Sequence, residues 1–211
     1  NIKAGLIASF NRHEPVASAE RVAQLAVDRL GKGILGLDVS GNEADFPAQP
    51  FQGVLCDAQQ AGLYITAHAG EWGGAGNVAE AITNLKVDRI GHGVRVMEDP
   101  SAIELARQSA IPLEVCITSN YQSGVVSSLT EHPLPQMLSV GLNVTINTDD
   151  PRVSQITLSN EYRVACEELG LSLAALRGRV LAAAQASFLP AVEKQALVES
   201  LSAEFDRYIS H

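Results

Sequence analysis

Hydrophobic residues in this chain form short, nearly continuous runs, and these runs alternate with longer amphipathic stretches from end to end. Runs such as I-L-G-L-D-V (34–39) and L-N-V-T-I-N (142–147) are typical of strands that are covered on both faces. The runs predict six strands, at Lys3–Ser9, Ile34–Val39, Leu63–Ala67, Asp88–Gly91, Leu113–Ile117 and Leu142–Asn147. The stretches between and after them predict helices at Ser18–Leu30, Phe51–Ala61, Asn77–Leu85, Pro100–Ser109, His132–Val140, Ser154–Leu169, Ser172–Ala184 and Pro190–Ile209.

Strands that are each followed by a helix, without hairpin turns between them, indicate a parallel sheet. A doubly wound sheet would carry a Gly-rich phosphate turn after its first strand, and the sequence has none. We therefore predict an α/β fold of the (β/α)8 TIM-barrel type. Eight such units need about 250 residues. In 211 residues we expect an incomplete barrel of about six units, with the first two missing, as a single domain over 1–211 that ends in helices.

The predicted first strand already occupies residues 1–9, and no initiating methionine precedes it. We therefore expect the chain to be a fragment, or a processed or cleaved product.

Composition excludes several classes of function. With 46% hydrophobic and 18% charged residues, the chain is expected to fold as a globular protein. The net charge of −9, without a basic cluster, argues against nucleic-acid binding. No apolar run is long enough to cross a bilayer, and none resembles a secretory leader. Cys56, Cys116 and Cys166 are odd in number and far apart, so no disulfide framework is indicated and a cytoplasmic location is expected.

Residues capable of chemistry follow the predicted strands rather than precede them. In a parallel barrel those strand ends open on one face, where such folds place their active sites. The side chains concerned are Arg12, His13, Asp38, His68, Glu71, His92, Thr118, Ser119, Asn120, Asp149 and Asp150, together with the backbone of Gly41. Their presence at six consecutive strand ends is not predicted by a purely structural explanation.

Each of these residues also has a structural interpretation. His92, between two glycines, could equally be a buried histidine bonded to the backbone. The segment Asp149-Asp150-Pro151 could simply be a turn. Cys116 is expected in the core, and His13 and His132 at the surface or at helix ends. Ser119 lacks a nucleophile-elbow sequence, which argues against a Ser-His-Asp triad.

If the strand ends converge, His68 and Asp149 can supply a nitrogen and an oxygen to Zn²⁺. The metal would lower the pKa of bound water toward ~7. His92 could then take the proton of the water, Glu71 could protonate an acceptor on the substrate, and Asp150 could orient the water. Two ligands are fewer than the three that a catalytic zinc site normally keeps.

Four motifs then match a known family. H-A-G-E (68–71), R-I-G-H-G (89–93), L-E-V-C-I-T-S-N (113–120) and T-I-N-T-D-D-P (145–151) resemble those of the adenosine deaminase family of zinc aminohydrolases, in family order and with similar spacing. The resemblance covers nearly the whole chain and is closest to the bacterial adenosine deaminases. It implies hydrolytic deamination at purine C6, which converts adenosine or 2'-deoxyadenosine to inosine or 2'-deoxyinosine and ammonia.

The resemblance also implies individual roles. His68 and Asp149 would be zinc ligands, and Glu71 would donate a proton to the purine N1. His92 would position or deprotonate the attacking water, and Asp150 would contact the hydroxyl and the substrate. Gly41, in D-V-S-G-N-E, would match the glycine whose backbone meets the purine N3.

One departure from the family is large, because the early His-x-His motif that supplies two further zinc ligands does not occur in this sequence. We therefore expect this chain alone to be inactive, with the missing N-terminal barrel segment on a longer or a separate chain. Two alternatives remain open at this point. One is a deaminase of adenine or of another 6-aminopurine, and the other is a non-catalytic module that keeps a degenerate barrel.

Overall fold

The computed structural model describes residues 2–209, so Asn1, the first residue of the strand-forming stretch 1–9, lies outside the described residues. Contacts divide the chain into two compact units, one that ends at Ile111 and one that begins at Pro112. Each unit is described by itself below. The expectation of a single domain over 1–211 stays a prediction.

The first unit is a run of four parallel β/α pairs. Its strands are β1 (Leu6–Asn11), β2 (Ile34–Ser40), β3 (Tyr64–Ala69) and β4 (Arg89–His92), and each pairs in parallel with the next. Its helices are α1 (Val16–Val27), α2 (Gln52–Gln60), α3 (Ala75–Thr83) and α4 (Pro100–Ser109), with 3-10 turns at Gln49–Phe51 and Val94–Glu98. The carboxyl ends of the four strands therefore lie along one edge of this unit.

Burial on both faces of β2 explains its continuous apolar sequence. Four successive residues of that strand, 36–39, are buried, so both sides of the sheet are covered there. Helix α4 begins as predicted, with Pro100 in its first turn and the side chain of Asp99 accepting a hydrogen bond from the Ser101 N–H.

The second unit continues the alternation with two parallel strands, β5 (Leu113–Val115) and β6 (Val144–Ile146). Its helices are α5 (Ile117–Gln122), α6 (Leu134–Ser139), α7 (Leu158–Glu167), α8 (Leu173–Ala186) and α9 (Ala191–Ile209), with a 3-10 turn at Leu129–Glu131. Both strands are buried, apart from the half-buried Glu114.

Several predicted boundaries were wrong, for local reasons. Helix α1 begins at Val16 after Pro15, and Ser18 does not cap it. Helix α5 was missed, because the predicted fifth strand ran on to Ile117, where the chain instead turns into a helix. Helix α7 begins after Thr157 rather than at Ser154, since Thr157 and Asn160 form a capping box.

No helix within residues 2–209 is long and apolar enough to cross a membrane.

Candidate active site

His68 is held by a buried carboxylate on the neighbouring strand. Its Nδ1 lies 3.1 Å from Oδ2 of Asp38. That Oδ2 also accepts a hydrogen bond from the Ser9 hydroxyl (3.1 Å), and Oδ1 of Asp38 accepts one from the Thr66 hydroxyl (2.6 Å). Burial opposes ionisation of Asp38, but its contacts with His68 and the two hydroxyls outweigh that effect and lower the pKa of the carboxyl below its ordinary value. With Nδ1 directed at a carboxylate, the Nε2 atom of His68 is the ring nitrogen suited to a metal.

Glu71 and His92 form the second contact at this edge of the first unit. His92 Nε2 lies 3.4 Å from Glu71 Oε2, and both side chains are largely buried. A carboxyl and an imidazole this close can each hold or transfer a proton within one site.

The rings of His68 and His92 are neighbours, with centroids 5.4 Å apart. His92 itself has a φ of +63°, a left-handed conformation that is uncommon for a residue with a side chain. Such strained residues concentrate at functional sites. His92 is buried, as its structural interpretation also required, and its contacts with Glu71 and His68 go beyond that interpretation.

Gly41 and Glu71 line the same cavity of about 480 Å³, together with the exposed Trp72 and with Asn42, Ala44 and Asp45. Gly41 has a φ of +95°, and a Cβ atom there would lie 2.0 Å from Oδ1 of Asn11. Only glycine therefore fits this backbone without displacing a neighbour. The structure thus brings together four predicted site residues, at 41, 68, 71 and 92.

Glu43 is a buried residue for which the sequence suggested no role. Its Oε1 accepts hydrogen bonds from the backbone N–H groups of Glu71 (2.5 Å) and Trp72 (2.8 Å). Its Oε2 accepts from the Gly70 N–H (2.9 Å) and from Nδ2 of Asn77 (2.9 Å). The only available sequence signal was its place in S-G-N-E, directly after β2.

Arg12, directly after β1, contacts the same edge of the sheet. Its guanidinium donates to the carbonyl oxygen of His68 at 2.6 Å, and it is almost fully buried. Burial lowers the pKa of Arg12 below its ordinary value, although Glu43, Asp38 and Glu80 oppose the shift. His13, by contrast, is exposed, as predicted.

In the second unit, Asp149 follows β6 with a φ of +56°, and its Oδ2 accepts a hydrogen bond from the Ser119 hydroxyl at 2.7 Å. Asp150 is exposed, and its Oδ1 accepts the backbone N–H groups of Arg152 (3.0 Å) and Val153 (3.2 Å). Asp150 therefore forms the turn that the sequence also allowed.

Two further buried side chains, a carboxylate and an imidazole, contact residues of α5 in this unit. Glu161, on α7, is fully buried and accepts hydrogen bonds from the backbone N–H and the hydroxyl of Thr118. His132 is 1% exposed, so the surface position allowed by the prediction was wrong, but it lies at a helix end, directly after the 3-10 turn Leu129–Glu131. Its Nδ1 accepts the Leu134 N–H, and its Nε2 lies 3.3 Å from Oδ1 of Asn120. Burial lowers the pKa of His132 to about 4. Cys116 is buried, as predicted.

The donor chemistry fits zinc. Imidazole nitrogen and carboxylate oxygen are both ligands that zinc accepts, and a carboxylate on the far nitrogen of a histidine is a recurrent feature of its sites. His68, with Asp38 behind it, has this arrangement.

Comparison with known proteins identifies the family. The profile of the adenosine deaminase family matches residues 1–204. An adenosine deaminase from Erwinia tasmaniensis is 42% identical over 171 residues, which are 81% of this chain and 52% of that protein. The chain belongs to the adenosine deaminase family. It spans about half the length of the curated relatives it matches.

Solved structures of related deaminases and amidohydrolases confirm the fold. An adenine deaminase from Arthrobacter aurescens is 32% identical with a TM-score of 0.89, over 96% of this chain and 62% of that one. An amidohydrolase from Burkholderia ambifaria with bound zinc is 26% identical with a TM-score of 0.92, over 99% of this chain and 58% of that one. The predicted α/β class, an incomplete (β/α)8 barrel with parallel strands and alternating helices, is confirmed.

Proposed function

We propose that the natural full-length protein catalyses the hydrolytic deamination of adenosine and 2'-deoxyadenosine. The observation that carries the proposal is the contact of Glu71 with His92, at 3.4 Å, next to the imidazole of His68 held by Asp38. Family membership supports the same reaction, since the relative from Erwinia tasmaniensis is an adenosine deaminase.

In the proposed reaction, the oxygen of water bonds to purine C6, the C6–N bond breaks, and ammonia leaves. His92 accepts a proton from the water at its Nε2 atom, and Glu71 donates a proton to purine N1 from its carboxyl group. As the C6–N bond breaks, the proton held by His92 passes to the amino group, which leaves as ammonia. The remaining proton of the hydroxyl returns to the carboxylate of Glu71, and the oxygen stays on C6 as a carbonyl. Because the two side chains are in contact and largely buried, one proton can be taken and another supplied within one partly enclosed site.

We propose His68 and Asp149 as zinc ligands. When bound, zinc lowers the pKa of a coordinated water and so makes hydroxide available near neutral pH. Asp38 fixes the ring of His68 so that Nε2 is presented to the metal. A catalytic zinc normally keeps three protein ligands, so two are too few. We therefore propose that further ligands come from sequence outside this chain, either a preceding segment or a separate polypeptide, and that the chain alone is inactive.

Substrate contacts are proposed for Gly41 and Asp150. Gly41 lines the same cavity as Glu71, which supports a contact between its backbone and the purine ring. For Asp150 we propose contact with the attacking hydroxyl and with the substrate. The purine nucleoside is the expected partner, and the cytoplasm is the expected location.

A second candidate, deamination of adenine or another 6-aminopurine, is favoured by the likeness to the adenine deaminase from Arthrobacter aurescens. The deciding experiment measures ammonia release by the zinc-loaded full-length protein from adenosine, 2'-deoxyadenosine and adenine. We expect the two nucleosides to be the preferred substrates. Preference for adenine would establish the second candidate, and no release from any of them would favour a non-catalytic module.

The inactivity of the chain alone needs its own measurement. The 211-residue chain is assayed for bound zinc and for ammonia release beside the full-length protein. We expect weak zinc binding and no turnover. Full activity of the metal-loaded 211-residue chain would overturn the proposal that outside ligands are needed.

A further inference from the structure

The turn that carries Glu71 is built around an ionisable side chain from another strand end. Residues 70–72 present three consecutive backbone N–H groups to a single carboxylate, that of Glu43, at 2.5–2.9 Å. Consecutive N–H groups of this kind form an anion-binding concavity, and here the anion is part of the same chain. Asn77, in α3, donates a fourth hydrogen bond to the same carboxylate.

Glu43 is suited to this task by its surroundings. Glu43 is only 4% exposed, so the four donors replace the water molecules that would otherwise solvate its carboxylate. Hydrogen bonds from N–H groups to an ionised oxygen are stronger than bonds between neutral groups. Gly70 makes the turn possible, since its φ of +69° brings its N–H beside those of its neighbours.

The same turn is also secured to the chain segment after His92. The Gly93 N–H donates to the carbonyl oxygen of Ala69 at 3.0 Å, and the Arg95 N–H donates to that of Gly70 at 2.9 Å. The guanidinium of Arg95 also donates to the carbonyl oxygen of Trp72 at 2.5 Å. The backbone of Glu71 is therefore bonded on one side to Glu43, and its flanking residues are bonded on the other to the segment that follows His92.

We infer that Glu43 is a positioning residue, whose carboxylate holds the turn 70–72 so that the carboxyl group of Glu71 stays in contact with His92. The expected effect of Glu43 on catalysis rests on the proposed deaminase function. Glu43 acts through the backbone of Glu71 and does not itself need to touch the substrate. Catalytic groups must be held within a fraction of an ångström of their productive positions, so loosening this turn should slow the reaction.

The substitution Glu43→Gln tests the inference with almost no change of shape. Each carboxylate oxygen accepts two of the four hydrogen bonds, and one of these oxygens becomes an NH2 group that cannot accept. Whichever way the amide is turned, two donors lose their acceptor. In the zinc-loaded full-length protein we expect kcat for adenosine to fall at least about tenfold, with KM changed by less than about threefold.

A double-mutant cycle separates positioning from a general loss of stability. If Glu43 acts through Glu71, adding Glu43→Gln to a Glu71→Gln protein should lower kcat no further than about twofold. If the falls in kcat caused by the two substitutions multiply in the double variant, the two residues act independently and the inference is overturned. A Glu43→Gln enzyme with the kcat of the wild type would overturn it as well. Glu104→Gln, which changes an exposed carboxylate on α4, is the matched control and should leave kcat unchanged.

A measurement that does not depend on activity follows the amides directly. Hydrogen exchange of the N–H groups of residues 70–72 should be slow in the wild type and at least about tenfold faster in Glu43→Gln, with the amides of β2 unchanged. Equal exchange in both proteins would overturn the inference. An inactive wild type would overturn the proposed function instead, while the exchange result would still decide the role of Glu43.

Should Glu43→Gln not fold, Asn77→Leu replaces it in both measurements. This change removes the side-chain donor from the carboxylate but leaves the three backbone donors in place. We expect a smaller fall in kcat that again disappears in the Glu71→Gln protein. A fall of the same size in both backgrounds would contradict the inference.

Discussion

Oδ2 of Asp38 lies 3.1 Å from Nδ1 of His68, across two adjacent parallel strands. The carboxyl group is buried, yet its pKa is lowered because His68, Thr66 and Ser9 all favour its ionised form. A charged Asp38 orients the imidazole ring and makes its other nitrogen a better metal ligand.

We therefore expect Asp38→Asn to weaken zinc binding by the full-length protein about 10- to 100-fold, because the amide no longer supplies a charge behind His68. Competition with a zinc-binding dye measures the affinity. Asp57→Asn makes the same chemical change on the exposed face of α2 and should bind zinc as the wild type does. Equal affinities for the two variants would contradict the role of Asp38.

Gly70→Ala is expected to lower the free energy of unfolding by about 2–4 kcal/mol, because alanine tolerates a left-handed backbone poorly and its Cβ would also clash. At a φ of +69°, that Cβ would lie 2.5 Å from Cγ2 of Val78. Urea denaturation measures the loss.

Gly76→Ala serves as the control for this substitution. Gly76 lies in α3, and a Cβ there would meet no heavy atom within 4 Å. Alanine should therefore be neutral, or stabilising by about 0.5–1 kcal/mol. A Gly70→Ala protein as stable as Gly76→Ala would show that the tight turn does not need glycine.

His132 should make the protein less stable in mild acid. Its pKa is about 4 in the folded chain, below the ordinary value of 6.5, because burial disfavours the charged ring. Above pH 6.5 the ring of His132 is neutral in both the folded and the unfolded chain, so the free energy of unfolding is undiminished there. Between pH 6.5 and 4 the imidazole of His132 is protonated in the unfolded chain but stays neutral in the folded one. The free energy of unfolding therefore falls over this range, by about 3 kcal/mol in total.

Urea denaturation at several pH values between 7.5 and 4 tests this dependence. His132→Asn cannot titrate and keeps an acceptor for the Leu134 N–H, so its stability should fall less steeply with acid than that of the wild type. His13→Asn, at an exposed histidine, should leave the slope unchanged. Parallel slopes for the wild type and His132→Asn would refute the prediction.

Glu161→Gln is expected to lower the free energy of unfolding by about 1–3 kcal/mol, because a buried carboxylate that accepts from the N–H and hydroxyl of Thr118 loses an acceptor and its charge. Denaturation at pH 7 measures the change. Glu167→Gln alters an exposed residue of the same helix and should cost less than about 0.5 kcal/mol. Similar costs for both would argue against a structural role for Glu161.

Much of the fold was predictable because it depends on local pattern. Within residues 2–209, each of the six predicted strands and eight predicted helices has a counterpart, with ends that differ by a few residues. Helix α5 was missed because the apolar sequence continues past β5, while Thr118 in the first turn of that helix is bonded to Glu161, 43 residues away. No local signal reports such a partner.

The sequence by itself determined the order of strands and helices, and which strand ends carry side chains whose chemistry suits metal binding or proton transfer. Those properties follow from the periodicity of neighbouring residues and from side-chain chemistry. Only the tertiary structure decided that Asp38 supports His68, that Glu71 contacts His92, and that Glu43 holds the turn between them. The partners are 21 to 30 residues apart along the chain, and such pairings are fixed by how the parallel strands align rather than by any local pattern.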